Sequence, residues 1–297
     1  MADTLLSNTW PPPPERGRKS TMQNVRTTIK KRCPWLVPMV LYGRRRRYKL
    51  REFIDICQFG LTFGRGVTRS IRPNISFRTH PLAWRTSFFA FAPGGYVADE
   101  MAAFISECKP GMRLIDVGAA YGIFSLVTMA WPESQALLLE PFPKSQRMIA
   151  ALKRINCLSD ERFRLLPVAA GERDGQLPME QRDGVLLVAS TSGDSVEMRS
   201  LDSLCDQLNF SPTHLKVDVE GFELAVLKGA AKVLEQFKPV IHLEIHNRML
   251  MDRGVSLDVL TALLKGFDYQ VVWSSPEYAS DNTVLITRTI WRVQPES

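Results

Sequence analysis

From about Asp99 onward, the chain alternates between two hydrophobic patterns. Apolar residues spaced three or four apart predict helices, and short continuous apolar runs predict buried strands. Helices are predicted at 101–108, 123–130, 144–155, 222–236 and 257–264, and strands at 113–119, 134–141, 163–170, 185–189, 214–219, 240–245, 269–273 and 283–287. Strands and helices in this order predict a doubly wound α/β fold with a mostly parallel sheet covered by helices on both faces. The last two strands are expected to supply an antiparallel edge.

The first 98 residues have a different pattern. Four consecutive prolines, Pro11 to Pro14, cannot lie in a helix or an internal strand, and basic and hydroxyl residues dominate the stretch 15–32. We therefore expect a tail over residues 1–47, a lead-in segment over 48–98 and the main domain over 99–297. The lead-in opens with apolar residues at the spacing of an amphipathic helix, namely Leu50, Phe53, Ile54 and Cys57.

Charge is distributed unevenly along the 297 residues. Apolar residues make up 45% of the chain and charged residues 23%, which is enough for an ordinary core. Residues 1–52 hold thirteen Lys or Arg and three Asp or Glu, a net charge of +10, which leaves −3 for the rest of a chain whose total is +7. A slightly acidic main domain argues against a nucleic-acid-binding groove in the core. The basic segment is open to three interpretations: docking of its apolar stripe on the main domain, contact with an anionic membrane surface, or an RNA-binding arm.

The cysteines and the longest apolar runs indicate the compartment. Five scattered cysteines, with no C-x-x-C pair, argue against a disulfide framework and a structural zinc site and favour a reducing environment. No apolar run approaches the ~20 residues that cross a bilayer. We expect a cytoplasmic protein, and peripheral contact of the basic segment with a membrane stays open as an alternative.

The segment 114–122 is the most informative part of the chain. An apolar strand ends in Asp116, and then Gly118 and Gly122 bracket a tight turn into a helix, where the backbone can approach a ligand closely. Glu140 lies at the end of the second strand, 22 residues after Gly118, where a carboxylate can accept both hydroxyls of an adenosine ribose. The spacing predicts an adenosine-containing cofactor. The alternative is an ordinary strand–turn–helix unit with a surface glutamate.

The pattern of the turn distinguishes between cofactors. Dinucleotide enzymes favour G-x-G-x-x-G, whose close glycines admit a pyrophosphate. Here the pattern is D-x-G-x-x-x-G, and a carboxylate two residues before the first glycine suits an ammonium or a sulfonium better than a diphosphate. S-adenosylmethionine (SAM) is therefore favoured over NAD.

Several motifs resemble those of FkbM-type methyltransferases, in the same order along the chain. They are Asp116-Val-Gly-Ala-Ala-Tyr-Gly122, Glu140-Pro141, Ala169-Ala-Gly171, Ser200-Leu-Asp202 and Lys216-Val-Asp-Val-Glu-Gly-Phe-Glu223. The resemblance covers residues 90–290 and implies a Rossmann-like, seven-strand, SAM-dependent domain that methylates a hydroxyl of a sugar or secondary metabolite. It adds Ala119, Tyr121 and Ala169 to the expected cofactor contacts. Ala120-Tyr121 departs from the family, which commonly has Asn followed by a smaller or aliphatic residue.

Two strand ends are unusually polar for a buried parallel sheet. Asp218 and Glu220 stand at one of them and are expected to flank the transferred methyl group. Glu244 or His246, at the other, would orient or deprotonate the acceptor hydroxyl, which makes Asp218, Glu220 and His246 the predicted catalytic residues. The structural alternative is a set of satisfied cross-strand pairs, such as Lys216 with Glu244.

Metal binding is not expected at His242-Leu-Glu-Ile-His246. Side chains at i and i+2 of a strand are too far apart to share an ion unless other ligands bend in. His80, His214 and His242 are interpreted as structural residues.

The resulting hypothesis is a SAM-dependent O-methyltransferase acting on a carbohydrate or small metabolite. One alternative is an RNA ribose methyltransferase recruited by the basic tail, and another is a catalytically silent, membrane-associated binding protein of the same fold. A base methyltransferase is disfavoured, because Asp218-Val-Glu-Gly221 stands where an Asn/Asp-Pro-Pro-aromatic signature is expected.

Overall fold

A seven-stranded sheet forms the centre of the computed structural model, which describes residues 66–72, 75–79, 98–182, 185–188, 194–279 and 283–293. Its strands are β3 (Arg113–Val117), β4 (Gln135–Leu139), β5 (Phe163–Leu166), β10 (His214–Val217), β11 (Val240–His246), β12 (Tyr269–Tyr278) and β13 (Val284–Val293). The predicted tail, its basic segment and the stripe beginning at Leu50 lie outside the described residues.

The order of the strands across the sheet is β12-β13-β11-β10-β3-β4-β5. The five strands from β11 to β5 run parallel, whereas β13 pairs antiparallel with both β11 and β12. The doubly wound α/β fold with an antiparallel edge is thus confirmed. The last two strands are each longer than predicted, since they pair with each other well beyond residues 273 and 287.

Helices cover both faces of this sheet. They are α1 (Ala98–Glu107), α2 (Ile123–Thr128), α3 (Pro143–Ile155), α4 (Leu201–Leu208), α5 (Glu223–Lys228), α6 (Ala231–Phe237), α7 (Asn247–Asp252) and α8 (Leu257–Gly266). Because side chains alternate along a strand, Ile115 and Leu215 enter the core beneath α4, α5, α6 and α8, and Leu114 and Leu138 enter the core beneath α1, α2 and α3. The hairpin of β1 (Val67–Arg72) and β2 (Ile75–Thr79) adds Phe77 to this second core.

A smaller four-stranded sheet has the order β6-β9-β7-β8. Its strands are β6 (Ala169–Ala170), β7 (Gly175–Arg182), β8 (Val185–Val188) and β9 (Asp194–Arg199). The predicted strand 163–170 was wrong as one element, because Pro167 separates β5 from β6 and has no N–H for the ladder. The predicted inserted strand is present as β8, whereas the neighbouring β7 and β9 were missed.

Two further predictions needed correction close to the polar strand ends. The predicted helix 222–236 is two helices, which break at Gly229 and Ala230. The predicted strand 214–219 ends at Val217, so Asp218 and Glu220 lie in the next turn and do not alternate on one strand face. The short helix α7, directly after β11, was not predicted.

No helix within the described ranges combines the length and the apolar character needed to cross a membrane.

Candidate functional site

The site lies where β3 and β10 run side by side in the middle of the sheet. The chain goes from β3 outward to β4 and β5, and it later returns through β10 to the other side of β3. Ligands of open α/β sheets bind at such a reversal of strand order, outside the carboxyl ends of the strands. The turns after β3 and β10 approach so closely that a Cβ on Gly118, whose φ is 75°, would overlap the carbonyl oxygen of Asp218.

Glu140, directly after β4, turns back toward the glycine turn at the end of β3. Its Oε2 accepts a hydrogen bond from the Ala120 N–H at 2.7 Å, and its Oε1 accepts one from the Phe142 N–H at 2.8 Å. Burial raises the pKa of Glu140 to about 7, although these two hydrogen bonds favour the charged form. Each carboxylate oxygen retains capacity for a second hydrogen bond from a ligand.

Two adjoining cavities open at this edge of the sheet. The smaller, about 290 Å³, contains Glu140 and has apolar walls that include Leu139, Pro141, Val168, Leu177 and Phe222. The larger, about 580 Å³, contains most of the charged side chains. Gly118, Ala120, Tyr121, Asp218 and Glu220 line both. One elongated ligand could therefore occupy both cavities.

A charged row lines the larger cavity on the face of the sheet that α1 and α2 cover. We use this name for Glu100, Lys216, Glu244, Glu277 and Arg288. Arg288 donates to Glu244 Oε1 at 2.8 Å and to Glu277 Oε2 at 3.0 Å, and its Nε lies 3.3 Å from Glu100 Oε2. Lys216 Nζ lies 4.0 Å from Glu100 Oε1. The row thereby connects α1, β10, β11, β12 and β13.

Burial and neighbouring charges together set the pKa values of the charged row. Burial raises the pKa of Glu100 and raises that of Glu244 to about 8. Burial alone would lower the pKa of Lys216, but the surrounding carboxylates, Asp218 foremost, outweigh it and raise that pKa. A buried lysine therefore remains charged because acids surround it.

Asp116, the residue before the last of β3, lines the larger cavity and is 2% exposed. Its Oδ2 accepts a hydrogen bond of 2.7 Å from Ser125 of α2. Burial raises the pKa of Asp116, and Lys216 partly opposes this effect. A cationic ligand would stabilise its charged form.

Asp218, Glu220 and His246 meet at the floor of the larger cavity. His246 Nε2 lies 3.4 Å from Glu220 Oε2 and 3.8 Å from Asp218 Oδ1. On the other side of the ring, Nδ1 lies 2.7 Å from Oε1 of Glu223, a fully buried residue of α5. Glu220 has a φ of 51°, which L residues rarely adopt and which is common at functional sites.

The protonation of this trio depends on its neighbours. Burial would lower the pKa of His246, but the hydrogen bond to Glu223 and the facing carboxylates raise it to about 9. Burial raises the pKa of Glu220. For Asp218 the burial effect is outweighed by Lys216 and His246, so its pKa is lowered.

The fold brings most of the predicted site residues together. The larger cavity is lined by Asp116, Gly118, Ala119, Tyr121, Asp218, Glu220 and His246, and the smaller by Gly118, Tyr121, Glu140, Ala169, Asp218 and Glu220. Gly122 lines neither cavity, because it packs against Leu138 and Ile149 at the start of α2, with a φ of 69°. Glu244 pairs with Arg288 of β13 and not with Lys216. The cross-strand pair that forms therefore differs from the one given as the structural alternative.

The sequence analysis gave no site role to several polar residues that the structure places there, including Glu100, Ser125, Glu223, Glu277 and Arg288. An arginine within the apolar strand Val284–Val293 is itself a signal, because a buried charge there needs partners. Glu223 gave a weaker signal, as an acid in the first turn of a helix is usually a dipole partner.

His214 and His242 have packing partners, as the structural interpretation expects. His242 stacks on His214 with ring centroids 6.3 Å apart and contacts Phe104 edge-on at 5.0 Å. His80 lies outside the described residues.

Comparison with solved structures finds methyltransferases among the similar proteins. The methyltransferase FkbM of Methylobacillus flagellatus KT is 22% identical, and the match covers 61% of this chain and 44% of that one at a TM-score of 0.44. A precorrin-6y C5,15-methyltransferase of Geobacter metallireducens GS-15 is 12% identical, with 67% and 88% covered and a TM-score of 0.40. The tRNA m1G37 methyltransferase of M. jannaschii is 12% identical, with 68% and 50% covered and a TM-score of 0.40.

The chain thus spans less than half the length of the first of these proteins. A comparison with curated protein sequences finds no match. The family model of the methyltransferase FkbM domain matches residues 116–271, which is more than half of the 297 residues. The matched range contains the carboxyl ends of β3, β4, β10 and β11. The chain therefore belongs to the FkbM methyltransferase family.

Proposed function

We propose that this protein is a SAM-dependent methyltransferase that methylates a hydroxyl group of a carbohydrate or another small metabolite. The observation that supports it most is the position of Glu140. Its buried carboxylate lies beside the glycine turn at the strand-order reversal and lines the apolar cavity that adjoins a larger, carboxylate-rich one.

The residues present fit SAM in two respects. The smaller cavity combines apolar walls with the Glu140 carboxylate, which suits an adenine ring and the two hydroxyls of its ribose. Six carboxylates line the larger cavity, against three Lys or Arg and His246. SAM brings an ammonium and a sulfonium, and Asp116 is the carboxylate that we assign to the ammonium.

Methyl transfer to a hydroxyl needs alignment and removal of a proton. SAM supplies the electrophilic methyl group. Asp218 and Glu220 line both cavities, so they would hold the acceptor hydroxyl at the junction. Glu220 would receive the hydroxyl proton, because its side chain is 37% exposed and can pass the proton on to water. His246 would orient Glu220 and Asp218 through its Nε2.

The cofactor assignment is tested by calorimetry with SAM and its demethylated product S-adenosylhomocysteine (SAH). Glu140→Gln should weaken both ligands about 10- to 100-fold, because hydrogen bonds to a charged acceptor are worth roughly 1.5–3 kcal/mol. The matched control is Glu161→Gln, an exposed acid far from both cavities, which should bind like the wild type. Unchanged affinity in a folded Glu140→Gln variant would refute the assignment.

The same experiment has a pH dependence. A carboxylate with a pKa of about 7 accepts ribose hydroxyls fully only when ionised, so affinity for SAH should rise between pH 6 and pH 8. This rise should be smaller in Glu140→Gln, which has no carboxylate to ionise. An equal rise in both proteins would assign the effect to another group.

The acceptor class is tested with SAM that carries an isotopic label in its methyl group. The full chain is incubated with a panel of sugars and other hydroxyl compounds, and mass spectrometry locates the label. We expect the label on oxygen. Transfer only to nitrogen or carbon acceptors would contradict O-methylation while leaving the cofactor assignment intact.

A further inference from the structure

We infer that Asp218, Glu244 and His246 form a binding site for one divalent transition-metal ion at the floor of the larger cavity. One donor atom from each residue lies within 4.8 Å of the other two. The three residues come from the turn after β10 and from the carboxyl end of β11. An imidazole nitrogen and two carboxylates are the ligand types that Zn²⁺, Mn²⁺ and Fe²⁺ accept in proteins.

The second polar atom of each residue is already held by a neighbour. Lys216 donates to Asp218 Oδ2 at 3.3 Å, and Arg288 donates to Glu244 Oε1 at 2.8 Å. Glu223 holds the third residue through His246 Nδ1. Among the described residues, Asp218 Oδ1, Glu244 Oε2 and His246 Nε2 form no hydrogen bond, although Nε2 faces Glu220 Oε2 at 3.4 Å. Outer partners such as Lys216, Arg288 and Glu223 orient metal ligands in known sites.

His246 supplies the most specific evidence. Its side chain is 7% exposed and Nε2 is directed at the cluster, yet Nε2 forms no hydrogen bond with the residues that the structure describes. When Nδ1 donates to Glu223, Nε2 faces the cluster, and a metal ion would displace the Nε2 proton that the surrounding carboxylates otherwise favour.

The charge balance also favours a bound cation. Around His246 stand the five carboxylates of Glu100, Asp218, Glu220, Glu223 and Glu244, and they have Lys216 and Arg288 as cationic partners. Five carboxyl groups therefore face two permanently basic side chains, with His246 as the third cation when it is protonated. A divalent ion would offset most of this excess in a largely buried position.

The tertiary structure answers the objection that side chains two residues apart on a strand are too far apart to share an ion. Glu244 and His246 alone are two residues apart on one strand, too far to share an ion easily. Asp218 approaches from the neighbouring turn and completes a three-residue set. Three protein ligands leave coordination positions for water or for an acceptor hydroxyl.

Use of the ion to bind an acceptor hydroxyl rests on the proposed function, whereas metal binding itself does not. The experiment therefore uses the full chain, stripped with EDTA and dialysed, without SAM. Mn²⁺ is titrated and monitored by electron paramagnetic resonance, and Zn²⁺ is titrated by calorimetry. We expect saturable binding of one ion per chain.

Three ligand variants and one control test the assignment. Asp218→Asn, Glu244→Gln and His246→Gln should each weaken binding at least tenfold. Asp206→Asn is the control, because Asp206 is an exposed acid that lines neither cavity and lies outside the three-residue set. It should bind the ion like the wild type, and circular dichroism checks that each variant is folded.

The outcomes separate this inference from the cofactor assignment. Glu140→Gln should lose affinity for SAH and keep the metal. Absence of saturable binding by the folded wild type overturns the metal site, and so does binding that survives in all three folded ligand variants. Either result leaves the SAH measurements standing.

Discussion

Single residues in the two turns make the close contact between β3 and β10 possible. Gly118 and Glu220 both have positive φ angles, and both belong to the shared lining of the two cavities. For Gly118 the reason is steric, because its missing Cβ makes room for the Asp218 carbonyl. For Glu220 the unusual backbone directs a carboxylate into the site.

Gly118→Ala should therefore destabilise the protein more than substitution of a glycine with the same conformation elsewhere. Gly111 is the matched control: its φ is 74° against 75° for Gly118, but a Cβ there would meet nothing within 4 Å. Gly111→Ala carries only the left-handed penalty of roughly 1–2 kcal/mol. We expect Gly118→Ala to cost about 2 kcal/mol more in urea unfolding, since the backbone must move. Equal costs would mean that the two turns separate easily.

At the scale of elements, a side chain of α4 caps the N-terminus of α6. α6 begins after Ala230, which has no side-chain oxygen, so its first N–H groups need an outside acceptor. Asp202 of α4 supplies it: Oδ2 accepts from the Lys232 N–H at 3.1 Å and Oδ1 from the Val233 N–H at 3.0 Å. Part of the Ser200-Leu-Asp202 motif thus has a structural explanation.

Asp202→Ala should lower the free energy of unfolding by about 1–2 kcal/mol, because it removes the N-cap of α6. Asp206→Ala is the control on the same helix, since Asp206 is exposed and forms only a 3.9 Å surface pair with Lys232. That change should cost less than about 0.5 kcal/mol. Chemical denaturation measures the free energy of unfolding of both variants. Similar losses would show that the Asp202 cap does not stabilise α6.

At the scale of the whole molecule, the site is a meeting point of distant segments. Its carboxylates come from α1, β3, the turn after β10, β11 and β12, in the order Glu100, Asp116, Asp218 with Glu220, Glu244 and Glu277. Several of them have raised pKa values because they are buried among like charges. The folded molecule therefore offers a preformed site for positive charge.

This charge predicts a preference among SAM analogues. Sinefungin has an ammonium group in place of the sulfonium, whereas SAH has a neutral sulfur at that position. Because carboxylate excess favours a cation, sinefungin should bind about tenfold more tightly than SAH in calorimetry. The preference should shrink in Asp218→Asn. Equal binding of the two ligands by the wild type would argue that the carboxylates are neutralised before the ligand arrives.

The sequence predicted the elements around the site better than the site itself. Periodicity located β3, β4, β10 and β11, because buried strands are short apolar runs whatever their neighbours are. Glu140 was identified from its spacing to Gly118, since a strand–helix–strand unit has a nearly constant length. By contrast, Arg288 lies more than forty residues after Glu244. Their pairing could not be predicted, because no local pattern indicates which strand pairs with β11.

The position of Gly122 shows the same limit on a shorter scale. Its spacing suggested a cofactor contact, and only packing against Leu138 and Ile149 showed that it serves the start of α2. Likewise, the spacing of Glu244 and His246 along one strand argued against a shared metal ion, and only the tertiary structure places Asp218 beside both.

The sequence by itself determined the α/β class, the strand–turn–helix unit with its glycine turn, and the identity of the acids, because all three depend on local periodicity and short spacings. The tertiary structure alone decided which charges meet. It paired Arg288 with Glu244, put Glu223 behind His246 and brought Asp218 beside both. The physical reason is that strand order and burial, which sequence spacing does not contain, set the distances between charges and hence their pKa values.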